Sequence, residues 1–244
     1  MKKILVVLIA LIFVLPLAAC QTSAANSSNT SDIKRNANSW NKVIKDLEVV
    51  TTDNTGNDRG LIARSMKELN GANQSVIQGT VYNLSKLNNP NNAAYTKATI
   101  VVDKVINGKK SLKGKKITLV LNGGVTTTNR WYKDQNQTRE AEHDILVQYS
   151  QAPLPKIGSK IIVGISPIEK KEPTTYMQTI KQNKLARSTT YDLNMPAFNY
   201  WIKNSDDKDY HLNNPQADAR LKANPKMAKD IKNLTDELNQ KYNK

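Results

Sequence analysis

The sequence predicts a mainly β protein, a small barrel or sandwich, with helices on its N-terminal and C-terminal sides. Three observations carry this. Between Ser75 and Ile168, segments rich in β-branched residues are separated by turns containing Asn, Gly and Pro. Before them, Leu61 to Leu69 places Ile62, Met66 and Leu69 on one helical face. After them, two segments open with Asn-Pro and continue with helical periodicity.

The first twenty residues stand apart from that domain. Met1-Lys2-Lys3 precedes an uncharged run from Ile4 to Ala19. A permanent membrane-spanning helix takes about 20 apolar residues, so this run is short. Pro16 disfavours a continuous helix because it lacks an N–H and crowds the preceding turn. A basic start, an apolar run and small residues together form the layout of a cleavable export signal, residues 1–19. Cys20, the only cysteine, closes it. The stretch Leu17-Ala18-Ala19-Cys20 resembles the lipobox of bacterial lipoproteins. That resemblance implies diacylglyceryl transfer to the Cys20 thiol and cleavage just before it by signal peptidase II. A single acyl chain anchors only marginally, whereas two hold a protein stably, at about 0.8 kcal/mol per buried CH₂. The expected location is the extracytoplasmic face of the cell membrane. Resemblance to this class also admits a further use of the released signal, as a short apolar signalling peptide such as "LIFVLPLA".

Cleavage there leaves 225 of the 244 residues and removes Lys2 and Lys3, lowering the formal charge from +15 to +13. No cysteine remains that could form an intramolecular disulfide, so the exported chain must be stable through its core. A strongly basic surface attracts polyanions. Outside the cytoplasm these are anionic lipid headgroups or wall polymers.

Residues 20–39 read as the lipidated cysteine followed by a Ser-, Asn- and Thr-rich tether with few large apolar side chains. As a coil it would span roughly 25 Å. The globular domain is then expected over residues 40–244. Val43, Ile44 and Leu47 have helical spacing, while "LEVVTT" fits a strand. "DNTGNDRG", Asp53 to Gly60, reads as a turn and Asn70-Gly71 as a helix stop. Strands follow over Ser75–Leu84, Tyr95–Ile106, "KKITLVLNGG", Asp144–Tyr149 and Lys160–Ile168. "LPKIGSK" is a tight loop leading into the last.

The order of a short helix, "VIQGTV", the region "YTKATIVVDKVINGKKSLKGKKITLVLNGG" and the later "LPKIGSK" turn is similar to a class of exported bacterial domains. It covers roughly Leu61 to Ile168. The resemblance implies an OB-like β-barrel and no catalytic residues.

Catalytic and metal constellations are absent from the pattern. "REAEHD" gathers Glu140, Glu142, His143 and Asp144, yet no second histidine stands at ligand spacing. It reads as a solvated polar loop, as does the surrounding of His211. There is no G-x-S-x-G elbow, and Gly123-Gly124 is a turn rather than a phosphate cradle. No cofactor and no enzymatic activity are expected. "MPAFNYWI" holds the aromatic cluster Phe198, Tyr200 and Trp201, read as core. Met227, Ile231, Leu234, Leu238 and Tyr242 form an apolar stripe for packing on the barrel.

Charge carries the functional expectation. Lys86 to Lys116 holds eight lysines against one acid, Asp103. Lys109, Lys110, Lys113, Lys115 and Lys116 crowd one loop between two strands and form the candidate polyanion site. Stacking aromatics and arginine are scarce there, which disfavours nucleic acid. The expected function is a lipid-anchored, non-catalytic binding module for anionic polymers or lipid headgroups. The alternatives are a ligand-binding lipoprotein of a transport system, which lacks the expected βαβ alternation, and an envelope hydrolase, which lacks a catalytic constellation.

Overall fold

The computed structural model describes residues 21–53, 60–133, 141–168 and 173–243, with side chains from residue 30 onward. Strand outweighs helix, and five strands close into a barrel flanked by N-terminal and C-terminal helices. Its strands are β2 (Ser75–Lys86), β3 (Tyr95–Asn107), β4 (Lys116–Asn122), β7 (Lys160–Pro167) and β8 (Thr190–Leu193). β2–β3–β4 is an antiparallel meander. β8 pairs in parallel with β4 and antiparallel with β7, and β7 pairs back onto β2. This closure, with one parallel seam, gives the OB-like order.

The strands form where they do because one set of alternate residues fills the barrel. On β3, Thr96, Ala98, Ile100 and Val102 are buried, while Tyr95, Lys97, Thr99 and Val101 face outward. On β4, Ile117, Leu119 and Leu121 point in. Ile161, Val163 and Ile165 of β7 join the same core, with Ile77 and Val81 of β2. The other face of β7 is covered as well. Ile162 packs with Val76, Trp201, Leu234 and Leu238. Burial on both faces explains why "IIVGI" is continuously apolar.

Two strands between β4 and β7 join one that precedes β2 to build a second, three-stranded sheet. It comprises β1 (Glu48–Thr52), β6 (Asp144–Tyr149) and β5 (Gly124–Thr127), in the order β1-β6-β5. A short helix, α3 (Thr128–Trp131), follows β5. The turn from β4 into β5 is Gly123-Gly124, both at positive φ. A Cβ on Gly124 would lie 2.3 Å from Thr96 Oγ1.

The C-terminal third encloses the outer face of β7. β9 (Tyr200–Lys203) pairs with the first half of β7, and β10 (His211–Leu212) with β9. Phe198, Tyr200 and Trp201 are buried, as expected for core. Helix α5 (Ala217–Leu221) leads to α6 (Pro225–Tyr242). Asn224 caps α6, its side chain accepting from Met227 N, with Pro225 in the first turn. Ile231, Leu234 and Leu238 are buried, so the stripe packs inward. The other Asn-Pro differs: Asn214 is buried, and its side chain donates to Ala197 O 2.9 Å away. It anchors the approach to α5, whose cap position is Gln216.

Two expectations are corrected here. The segment read as a coil tether lies in a helix, α1 (Gln21–Ile44). Its side chains from Asp32 onward touch the barrel, so the folded unit begins before Trp40. The Tyr82 hydroxyl donates to Asp32 at 2.8 Å, and Asn36 donates to Tyr82 O at 3.0 Å. Trp40 is buried in the barrel cluster. Composition misled because polar side chains, not apolar ones, make the first of these contacts. The helix read over Leu61–Leu69 is shorter. α2 spans Met66–Gly71, because Ser65 takes extended backbone and caps Glu68 N. Leu17, Ala18, Ala19 and Cys20, and the turn over residues 54–59, lie outside the described residues. Among the described residues no helix is long and apolar enough to cross a membrane.

Candidate functional site

The five lysines sit on the β3–β4 hairpin, whose backbone is held at several points. Gly108 has φ +89°, and a Cβ there would meet Gln74 O at 2.2 Å, so the turn requires glycine. Lys109 N donates to Ser75 Oγ at 3.0 Å. A 3-10 turn, Lys110–Leu112, follows. Leu112 is buried and joins the barrel core. Gly114 N donates to Val102 O at 2.8 Å, and Val102 N to Lys115 O at 2.9 Å. Leu112 thus plugs the barrel while Lys109, Lys110, Lys113, Lys115 and Lys116 are all exposed around it.

None of the five is held in an ion pair by a described residue. Among the described residues, no carboxylate lies within ion-pair distance of these five. The one acid of the segment, Asp103, is engaged elsewhere. It pairs with Lys160 at 2.8 Å and accepts from the Thr80 hydroxyl at 2.7 Å. Lys116 sets its ammonium 3.6 Å from the Tyr82 ring centre. Lys110 donates to Val105 O at 3.4 Å. Lys116 also acts on α1. The Asp32 carboxyl is held below its ordinary value, chiefly by the Tyr82 hydroxyl, with Arg35 and Lys116 adding to it.

The lysine turn continues onto a sheet surface that the sequence reading missed. The outward residues of β3 are Lys97, Thr99 and Val101, and those of β4 are Lys116 and Thr118. Register sets Val101 opposite Lys116 and Thr99 opposite Thr118. On one side α1 lies over β2 at Tyr82. On the other, α4 (Thr175–Gln182) covers Val120, with Ile180 packed among Leu87, Val120 and Ile168. The strip between the two helices remains half-exposed. Its signal in the sequence was the polar half of the β3 alternation, but that half is also what any solvated strand face shows.

The other polar clusters have structural roles. His143 Nε2 lies 3.1 Å from Glu48 Oε2, tying the loop to β1. Asp144 pairs with Lys86 at 2.9 Å. Glu140 lies outside the described residues, while Glu142 is exposed. His211 lies 3.7 Å from Asp207. Among the described residues there is no group of three His, Cys, Asp or Glu that could hold a metal ion. Tyr95, Tyr149 and Tyr176 cluster near α4, Tyr95 and Tyr176 meeting edge to face at 5.7 Å. Burial, with Tyr95 nearby, pushes the Tyr149 phenol up to about 12, and Tyr176 is raised further. At neutral pH these are neutral packing groups.

No family model matches the chain, and neither curated protein sequences nor solved structures yield a match.

Proposed function

We propose that this chain is a lipid-anchored envelope protein on the extracytoplasmic side of the membrane, whose barrel is a non-catalytic binding module for anionic polymers or lipid headgroups. The observation that carries it is the β3–β4 turn, a rigid hairpin presenting five exposed lysines with no carboxylate partner among the described residues. Fixing the backbone lowers the ordering cost of binding, and clustering like charges raises the local potential for an anion. Cys20, in its lipobox-like setting, supplies the anchor in this reading.

The test is co-sedimentation of the mature chain, beginning at residue 20 and carrying Cys20→Ser, so that neither the apolar signal run nor an acyl group contributes. Anionic particles should pellet the protein at low salt, with loss as the Debye length shrinks from about 30 Å at 0.01 M to about 8 Å at 0.15 M. Replacing all five lysines with Gln should remove most of it. Equal binding to neutral particles, or none at low salt, contradicts the reading.

A further inference from the structure

We propose that the half-exposed face of β3 and β4 between α1 and α4 is a groove for one flexible linear polyanion with closely repeated phosphates, continuous with the lysine turn. The inference rests on the polyanion reading of that turn and names its ligand class.

The groove floor is laid out by strand register. At the end nearest the turn stands the Val101–Lys116 pair, with Tyr82 beneath the Lys116 ammonium. Next comes the Thr99–Thr118 pair, and at the far end Lys97 opposite Val120. Lys97 and Val101 are four residues apart on one strand, about 13 Å at roughly 3.4 Å per residue. The sequence of groups along the floor is therefore cation, two facing hydroxyls, cation. Within the described residues, the hydroxyls of Thr99 and Thr118 and the Lys97 ammonium make no hydrogen bond or ion pair. They are donors held on a strand face and left for something outside the chain.

This arrangement favours a flexible linear polyanion over a membrane surface. Lys109, Lys113 and Lys115 protrude on the turn and could meet a flat bilayer. Lys97, Thr99 and Thr118 are half-buried on the sheet face, with α1 over the neighbouring Tyr82 and α4 over Val120, so they are less accessible to a flat surface than the turn lysines. A thin chain with repeated phosphates can lie along the floor. It would set phosphates at Lys116 and Lys97, with hydroxyl contacts between. Asp32 of α1 stands near the Lys116 end and limits how many charges enter there.

The experiment measures binding of the mature Cys20→Ser chain, beginning at residue 20, to short and long linear polyphosphate across a salt series. Each lysine engaged with a polyanion contributes somewhat under one unit to the slope of log affinity against log salt. Wild type should favour the long chain. Lys97→Gln should lower the slope for long polyphosphate by about one unit and remove its advantage over the short one. Thr99→Val with Thr118→Val should weaken the long chain alone, and Lys97→Arg should restore the wild-type slope. If Lys97→Gln keeps the wild-type slope and length preference while the five-lysine variant loses binding, the groove is overturned and the turn stands. If the five-lysine variant binds as wild type, both readings fall. Wild type that binds phosphatidylglycerol vesicles but not soluble long polyphosphate also overturns the groove. If Lys97→Gln melts early, the Thr99→Val with Thr118→Val variant decides in its place, and long-chain binding equal to wild type overturns the groove.

Discussion

Lys116 and Tyr82 stack, ammonium over ring, 3.6 Å from the centroid. The same ring carries the hydroxyl that donates to Asp32 at 2.8 Å, so one tyrosine joins β4, β2 and α1. The lysine turn and the N-terminal helix are therefore coupled through a single side chain.

That coupling gives a pH prediction. Asp32 has its folded pKa depressed, first by the Tyr82 hydroxyl. A depressed carboxylate contributes stability that is present above its unfolded pKa and lost as pH falls through the folded value. Tyr82→Phe keeps the ring under Lys116 and removes only the hydroxyl. The variant should be less stable than wild type at neutral pH, and the gap should close in strong acid, where Asp32 is protonated in both. Urea midpoints at the two pH values measure it. A gap of equal size in acid would mean that the hydroxyl does not act through Asp32.

The buried tryptophan sets the strength of the C-terminal closure. Trp201 is fully buried, and its Nε1 donates to Thr235 Oγ1 at 2.9 Å. Trp201→Ala should cost about 3–5 kcal/mol in urea unfolding. Asn224→Ala, removing the α6 cap, should cost about 1 kcal/mol. If the two substitutions cost the same, α6 is not held chiefly through Trp201.

The β4–β5 corner separates steric need from turn preference. Gly124, at φ +145°, faces Thr96 Oγ1 and Tyr95 O at 2.3 and 2.9 Å from the position of a Cβ. Gly124→Ala should cost about 3 kcal/mol or more, through strain and overlap. Gly114, at φ +75° with open space around it, should cost about 1 kcal/mol on the same change. Thermal melts of the two variants compare them directly, and equal losses would refute the close-approach argument.

Much of the barrel was legible because β3 and β4 alternate between an apolar interior and a polar outer face. β2 and β7 were legible instead as runs of β-formers bounded by turns. β8 was not, since Thr190–Leu193 has four residues and becomes a strand only by pairing with β4 and β7 together. The lysine turn was legible from charge density alone. Its rigidity was not, because that depends on Leu112 reaching the core and on Ser75 from a distant strand. The groove required register as well. Lys97, Thr99 and Thr118 form one surface only when β3 and β4 are aligned and α1 and α4 are in place.

Lipidation of Cys20 makes an independent prediction. Cells fed a fatty-acid analogue should label the wild-type chain and not Cys20→Ser, which should accumulate as precursor or be released. Label persisting in the serine variant would refute the anchor.

The last prediction reverses what composition alone implies about the N-terminal segment. A Ser- and Asn-rich tether should be dispensable, so a chain beginning at Trp40 should be as stable as one beginning at Gln21. The structure says otherwise. Removing residues 21–39 deletes the Asn36 hydrogen bond to Tyr82 O and the Asp32 contact to the Tyr82 hydroxyl. It also removes Ile33, whose Cγ2 is 3.5 Å from the position of a Cβ on Gly158. Trp40 would then stand at a frayed helix end instead of a continuous helix. The lost hydrogen bond and the half-buried isoleucine are worth about 1 kcal/mol each. The chain beginning at Trp40 should therefore be about 2 kcal/mol less stable in urea unfolding, with an unchanged β signal. Beginning instead at Thr30 should recover nearly all of that loss, since the contacts start at Asp32. Equal stability of the Trp40 and Gln21 chains would show that α1 before Trp40 does not hold to the barrel in solution.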